Sequence, residues 1–249
     1  MGLTIHYDLK SDATSPRKAR QRVEQLRQAA LDLAMSEVGQ LAECSGTACR
    51  FQNAQDESLR WPLVQARRLI RVGRAYYFAV PTRLFAFSTW LGEGCEVANF
   101  GLAIYPKAIE TEKGELATGL SGWSWQSFCK TQYASNPDLG GIANFVRCHV
   151  TVRLLDRAKA MGILESVKDE SHFWEKRDIQ ALVETVGRWN CEIAALVGQC
   201  KDQMGGDFAA PIAEYPNFEH LEADGRTHVR RRRTKGSQED GPGVDGHLP

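Results

Sequence analysis

Near the C-terminal end, Ile179, Leu182, Val186, Trp189, Ile193, Leu196 and Cys200 recur at intervals of three and four. That period marks one face of an amphipathic helix of roughly 25 residues. An apolar stripe of that length must be buried, so the rest of the chain has to supply a surface for it.

The middle of the chain supplies a sheet. Leu69–Val72 and Ala75–Val80 flank Gly73, which predicts a hairpin. Leu84–Trp90 and Asn99–Tyr105 read as two further strands, joined by the glycine-rich LGEGCEV. A strand over 121–130 follows the turn Glu112-Lys113-Gly114-Glu115. In these segments the period is two, and β-branched and aromatic residues are frequent. An N-terminal strand over 3–9 precedes a helix that opens at Ser15-Pro16, with Ala19, Val23, Leu26, Ala30 and Leu33 as its stripe. From Ile142 to Met161 apolar residues occupy more than one side, which predicts a largely buried helix ending at Gly162, with a short strand over 163–168. These elements predict an α+β fold: a mixed or antiparallel sheet of about five to seven strands, with three main helices packed mainly on one face.

At 43% hydrophobic residues over 249 positions the chain can bury a proper core. No stretch has the length and apolarity of a membrane span, and the N-terminus does not read as a signal peptide. Seven cysteines, an odd number without a secretion signal, fit free thiols in a reducing cytoplasm. Cys44 and Cys49 have no second pair at zinc-ribbon spacing. The 31 basic and 31 acidic side chains cancel, but unevenly. Residues 225–249 carry six basic and three acidic groups, including Arg230, Arg231, Arg232 and Arg233. So few residues there are apolar that the segment is expected to be a disordered basic tail, with 1–224 as a single domain.

The chain contains neither a phosphate-binding loop, a dinucleotide fingerprint, HExxH nor GxSxG. Several weaker constellations remain. On a regular strand over 121–130, Trp123, Trp125, Ser127 and Cys129 share one face, while Lys130 and Gln132 lie on the other and could grip an anion together. The adjacent Cys148 and His149 point about 100° apart on a helix and form no dyad by themselves. Through the fold, Cys129 or Cys95 could still meet His149. Asp169, Glu170 and Glu175, with His172 nearby, and Glu96 beside Cys95 are weak candidates for a metal. Polar turns and loops account for the acidic residues, Lys130 and Gln132 without any chemistry, and a satisfied core histidine accounts for His149. The arginine run attracts phosphate, nucleic acid or acidic proteins without sequence preference.

The segments KTQYASNP, DESHFWEKRD and NFEHLEADGR, with the TIHY start, resemble an uncharacterised family of bacterial proteins of about this length. The resemblance covers roughly 1–225 and implies a bacterial cytoplasmic protein; no activity comes with it. Where this chain has Ser171 and His172, the family pattern has two glycines, so the resemblance makes His172 a poor catalytic candidate. Two readings stand open: a binding or interaction module with weak nucleic-acid attachment through the tail, or a metal-assisted or cysteine-dependent hydrolase. The first needs no cofactor and no membrane.

Overall fold

The structure is a computed structural model that describes residues 3–33, 35–54, 56–149, 153–205 and 209–236. Its centre is one antiparallel sheet. The strands are β1 (Thr4–Ser11), β2 (Glu37–Val38), β3 (Ala42–Ser45), β6 (Arg83–Trp90), β7 (Ala98–Ile104), β10 (Trp123–Lys130) and β11 (Leu164–Asp169). They run in the order β11-β1-β10-β7-β6-β2, and β3 also pairs with β6. Two separate hairpins leave the sheet: β4 (Arg68–Val72) with β5 (Ala75–Ala79), and β8 (Ala108–Thr111) with β9 (Gly114–Ala117). The fold is α+β, as the mixture of periods implied.

Alternation shows which strands have cover on one side. On β1, Ile5, Tyr7 and Leu9 point inward, continuing from the buried Leu3 before it; on β10, Trp123, Trp125, Ser127 and Cys129 do. The register sets Ile5 opposite Cys129 and Leu9 opposite Trp125, so these two inward rows form one apolar surface. The central strands differ. Leu84, Phe85, Ala86 and Phe87 are all buried, and neighbours along a strand point to opposite faces. Both faces of β6 are therefore covered. Helices α1 (Pro16–Asp32) and α2 (Glu57–Gln65) each pack on β6 and β7. Cover is thus on one face at β1 and β10 and on both faces at the centre.

Helix α1 starts where Ser15-Pro16 predicted, with Ser15 Oγ accepting the Lys18 N–H at 3.3 Å. The expected helix over 142–161 divides into α3 (Gly141–His149) and α4 (Arg153–Ala160); residues 150–152 between them lie outside the described residues. A short α5 (Phe173–Lys176) leads to α6 (Ile179–Met204), whose N-terminus Asp178 caps by accepting the Ala181 N–H at 3.1 Å. The α6 stripe is only partly the one read from sequence. Leu182 and Val186 are buried, but Ile179 and Leu196 are 52% and 44% exposed, and Trp189 is half-buried. Asn190, Ala194 and Val197 take inward positions instead, because α6 packs against α3 and α5 and also against a second long helix.

That second helix, α7 (Phe218–Gly236), runs across the expected boundary at 225. Helical backbone runs through it to 236; residues 237–249 lie outside the described residues. Apolar packing of Phe218 and Leu221 with Ala194 and Val197 joins the two helices at the start of α7, and close approach joins them further along. Gly225 is buried against α6, where a Cβ would collide with the Cys191 carbonyl oxygen. Arg226 reaches Asp202 at 2.7 Å and also pairs with Glu222. A chain ending at Asp224 is therefore expected to melt roughly 4–8 °C below the full chain, the effect of about 2 kcal/mol at this size. A melting temperature within one degree of the full chain would show that the continuation of α7 adds nothing.

Candidate functional site

Two groups of residues singled out from sequence come together in the interior. The first is centred on His149, which is fully buried on α3. Its Nδ1 lies 2.9 Å from Thr131 Oγ1, while Nε2 lies 3.0 Å from Ser171 Oγ and 3.3 Å from Asp169 Oδ2. Nε2 faces a carboxylate and so carries a proton. Ser171 donates its hydroxyl proton to Asp169 Oδ1 at 2.7 Å and accepts the Phe173 N–H at 3.2 Å. Asp169 also accepts the N–H groups of Ser171 at 2.8 Å and Trp174 at 3.0 Å. Burial opposes the charge on Asp169, yet the His149 and Ser171 hydrogen bonds outweigh it and hold the carboxyl down to about 2.

A serine, a histidine and an aspartate are present, but their roles are not those of a nucleophilic triad. A base must accept the serine proton and be oriented by the acid through its other nitrogen. Here one nitrogen faces both partners, and the serine proton is directed at the carboxylate. All three side chains are buried. The arrangement locks β11 and the turn after it onto α3.

The second group is the thiols. Cys129 is buried on β10, with Sγ 3.2 Å from the Glu96 carbonyl oxygen; burial and then the Glu96 charge push its pKa up. Cys95 is pushed up too, first by its hydrogen bond with Cys148 and then by burial. The same hydrogen bond favours the thiolate of Cys148, held down to about 7, but its residue is fully buried. Neither Cys95 nor Cys129 approaches the activated, accessible state that a nucleophile needs.

The remaining candidates disperse. Lys130 pairs with Glu96 at 3.3 Å on the surface. The strand ends at Lys130, so Gln132 does not share its face as expected. Gln132 turns inward within a 3-10 turn (Gln132–Ser135), accepts the Leu3 N–H at 3.1 Å and donates to Asn190 at 3.1 Å. Trp123 and Trp125 are core residues. Glu170 accepts the Thr4 N–H at 2.9 Å, and Glu175 and His172 are exposed. Among the described residues no group of three or more His, Cys, Asp or Glu side chains is placed to hold a metal ion. Backbone helix carries Arg230, Arg231, Arg232 and Arg233, but their side chains lie outside the described residues.

The surface feature with a chemical character of its own is the β4–β5 ribbon. Its register sets Leu69 opposite Phe78 and Arg71 opposite Tyr76. These four positions are all exposed; Tyr76 is 57% and Phe78 53% accessible. Ile70 packs against the core from the other face. Gly73, at φ +61°, opens the two-residue turn where a glycine is needed for a tight hairpin. Guanidinium groups lie over the rings: Arg67 is 4.6 Å from the Phe78 centroid and 4.7 Å from Phe51, and Arg71 is 5.7 Å from Tyr76. Arg71 is also tied to the turn, donating Nε–H to the Gly73 carbonyl at 3.1 Å. Of the four arginines between 67 and 74, Arg68 has a carboxylate near it, Asp8 at 3.8 Å. Arg67, Arg71 and Arg74 make no ion pair among the described residues. The sequence carried a signal for this face: residues 58–92 contain six arginines and no acidic residue.

No family model, curated protein or solved structure matches the chain. Among the described residues no helix is long and apolar enough to cross a membrane.

Proposed function

We propose that the protein is a binding module for single-stranded nucleic acid and that the outer face of the β4–β5 ribbon is its contact surface. The observation that carries this reading is the pairing of exposed rings with unpaired guanidinium groups on one rigid hairpin. Unstacked bases gain by lying on aromatic faces, and arginines neutralise the phosphates between them. A duplex offers no free base faces, so single strands are preferred. The face carries no array of side chains aimed at base edges, which supports binding without strong sequence preference. The arginine run on α7 then adds attraction at low salt but does not select the strand state. The resemblance to a bacterial family and the odd cysteine count support a cytoplasmic setting.

The test is fluorescence anisotropy at low salt with a labelled mixed-sequence oligonucleotide, single-stranded and duplex. The double variant Tyr76→Ala/Phe78→Ala is expected to weaken single-strand binding by at least about ten-fold, the loss of two stacking contacts. Its melting temperature should hold, because both rings are more than half exposed. Replacing Arg230, Arg231, Arg232 and Arg233 by alanine should flatten the salt dependence while leaving the preference for single strands. Equal binding by the ribbon variant and wild type, or equal binding of duplex and single strand, would overturn the reading.

A further inference from the structure

A cleft of about 450 Å³ lies between β2, α2 and the end of β6. That volume falls in the range of small-molecule sites. Trp61 of α2 and Trp90 of β6 both line it, and Trp61 is 59% exposed. So much open indole surface contributes little to folding. Val38, Leu41, Leu59 and Val97 make the wall apolar.

The charges on this wall have one sign. Glu37 and Asp56 line the cleft, and among its described lining residues there is no Lys, Arg or His. Glu37 makes no ion pair among the described residues. Asp56 caps α2 through the Ser58 N–H at 2.8 Å, a bond that holds its carboxyl below the usual range and therefore ionised. Arg27, which donates to the Gly39 carbonyl at 2.7 Å, is not among the lining groups. Two of the hydroxyls are already engaged: Ser88 bonds Asn99 Oδ1 at 2.6 Å and Thr89 the Ala98 carbonyl at 3.1 Å.

We infer that this cleft binds a small organic cation bearing an alkylated ammonium group, with Trp61 and Trp90 as its aromatic walls and Glu37 and Asp56 as its counter-charge. Each alternative ligand meets a missing feature. A metal ion needs several convergent oxygens at one point, and two tryptophan walls do not supply them. A neutral sugar would stack on the tryptophans and hydrogen-bond Gln40 and the carboxylates, but it leaves both negative charges uncompensated. A primary ammonium holds its water tightly and would lose it against an apolar wall. An alkylated ammonium is weakly hydrated, is attracted to ring faces, and needs only a nearby negative charge. This inference is independent of the ribbon, and its experiment does not involve nucleic acid.

Choline and its neutral carbon isostere, the alcohol with a tert-butyl group in place of trimethylammonium, separate charge from shape. Binding of each to the full-length protein is measured by calorimetry and by ligand-observed NMR. Choline is expected to bind at least about ten-fold more tightly than the isostere, since the two differ only in the cationic contribution. Trp61→Ala should weaken choline by at least about ten-fold. Glu37→Gln should weaken choline and leave the isostere unchanged. Both side chains are exposed, so the melting temperatures of these variants should match wild type, and that is measured alongside. Equal binding of choline and the isostere, unchanged choline binding in Trp61→Ala, tighter binding of glucose than of choline, or no choline binding at tens of millimolar would each overturn the inference.

Discussion

Replacing Asp169 by alanine will destabilise the protein by about 3–5 kcal/mol, because it removes the buried carboxylate on which several buried donors converge. The change strands His149 Nε2, the Ser171 hydroxyl and the N–H groups of Ser171 and Trp174 away from water. Urea denaturation reads the loss directly, and a change below about 1 kcal/mol would show that the network contributes little. The pH dependence follows from the depressed carboxyl. Its pKa is lowered from an ordinary 3.8 to about 2 in the folded protein. The unfolded chain therefore binds the proton first as the pH falls. The contribution of Asp169 is fully present above about pH 4 and is lost as the pH drops toward 2. Asp169→Asn, which keeps the shape but cannot titrate, should show a shallower loss of stability over that window than wild type. Parallel curves for the two proteins would contradict the assignment.

The second large effect is at Trp125. Its side chain is 1% exposed on β10, and its indole N–H donates to the Asn99 carbonyl at 2.9 Å. Tyr7 donates to the same carbonyl at 2.8 Å, so two core aromatics converge on β7. Trp125→Ala should cost about 3–5 kcal/mol through the cavity it leaves. Trp189→Ala should cost less, below roughly 2 kcal/mol, because Trp189 is only half-buried at the edge of the core. Denaturant midpoints of the two variants measured together test the order; a larger loss at Trp189 would mean that α6 is rotated from the orientation described here.

Some of the candidate site could be read in the chain and some could not. The hairpin around Gly73 was legible because a glycine between two β-rich runs has a local meaning. The chemical character of its outer face is not legible in the same way, although six arginines without an acid mark it, because periodicity alone does not say which face of a hairpin the core will cover. His149 was legible as a core histidine. Its partners Thr131, Asp169 and Ser171 were not, since they lie at the ends of two separate strands and meet only when β10 and β11 both flank β1. Gln132 departs from the strand face that periodicity assigns it because the strand stops two residues earlier and the chain turns in to satisfy the Leu3 N–H.

Local patterning determined where helices and strands form: the period-two runs, the Ser15-Pro16 and Asp178 caps, and the long stripe of α6. These signals depend on neighbours a few positions apart, and hydrogen bonding within a short segment is enough to express them. Tertiary structure decided which residues share a site. It placed Glu37, Asp56, Trp61 and Trp90, from three stretches of chain, around one cleft. It also extended α7 past Gly225, where the bond between helices is close backbone contact and not apolar area. The reason is the same in both cases: contact across the fold depends on which surfaces the packed core leaves facing each other, and no periodicity along the chain carries that information.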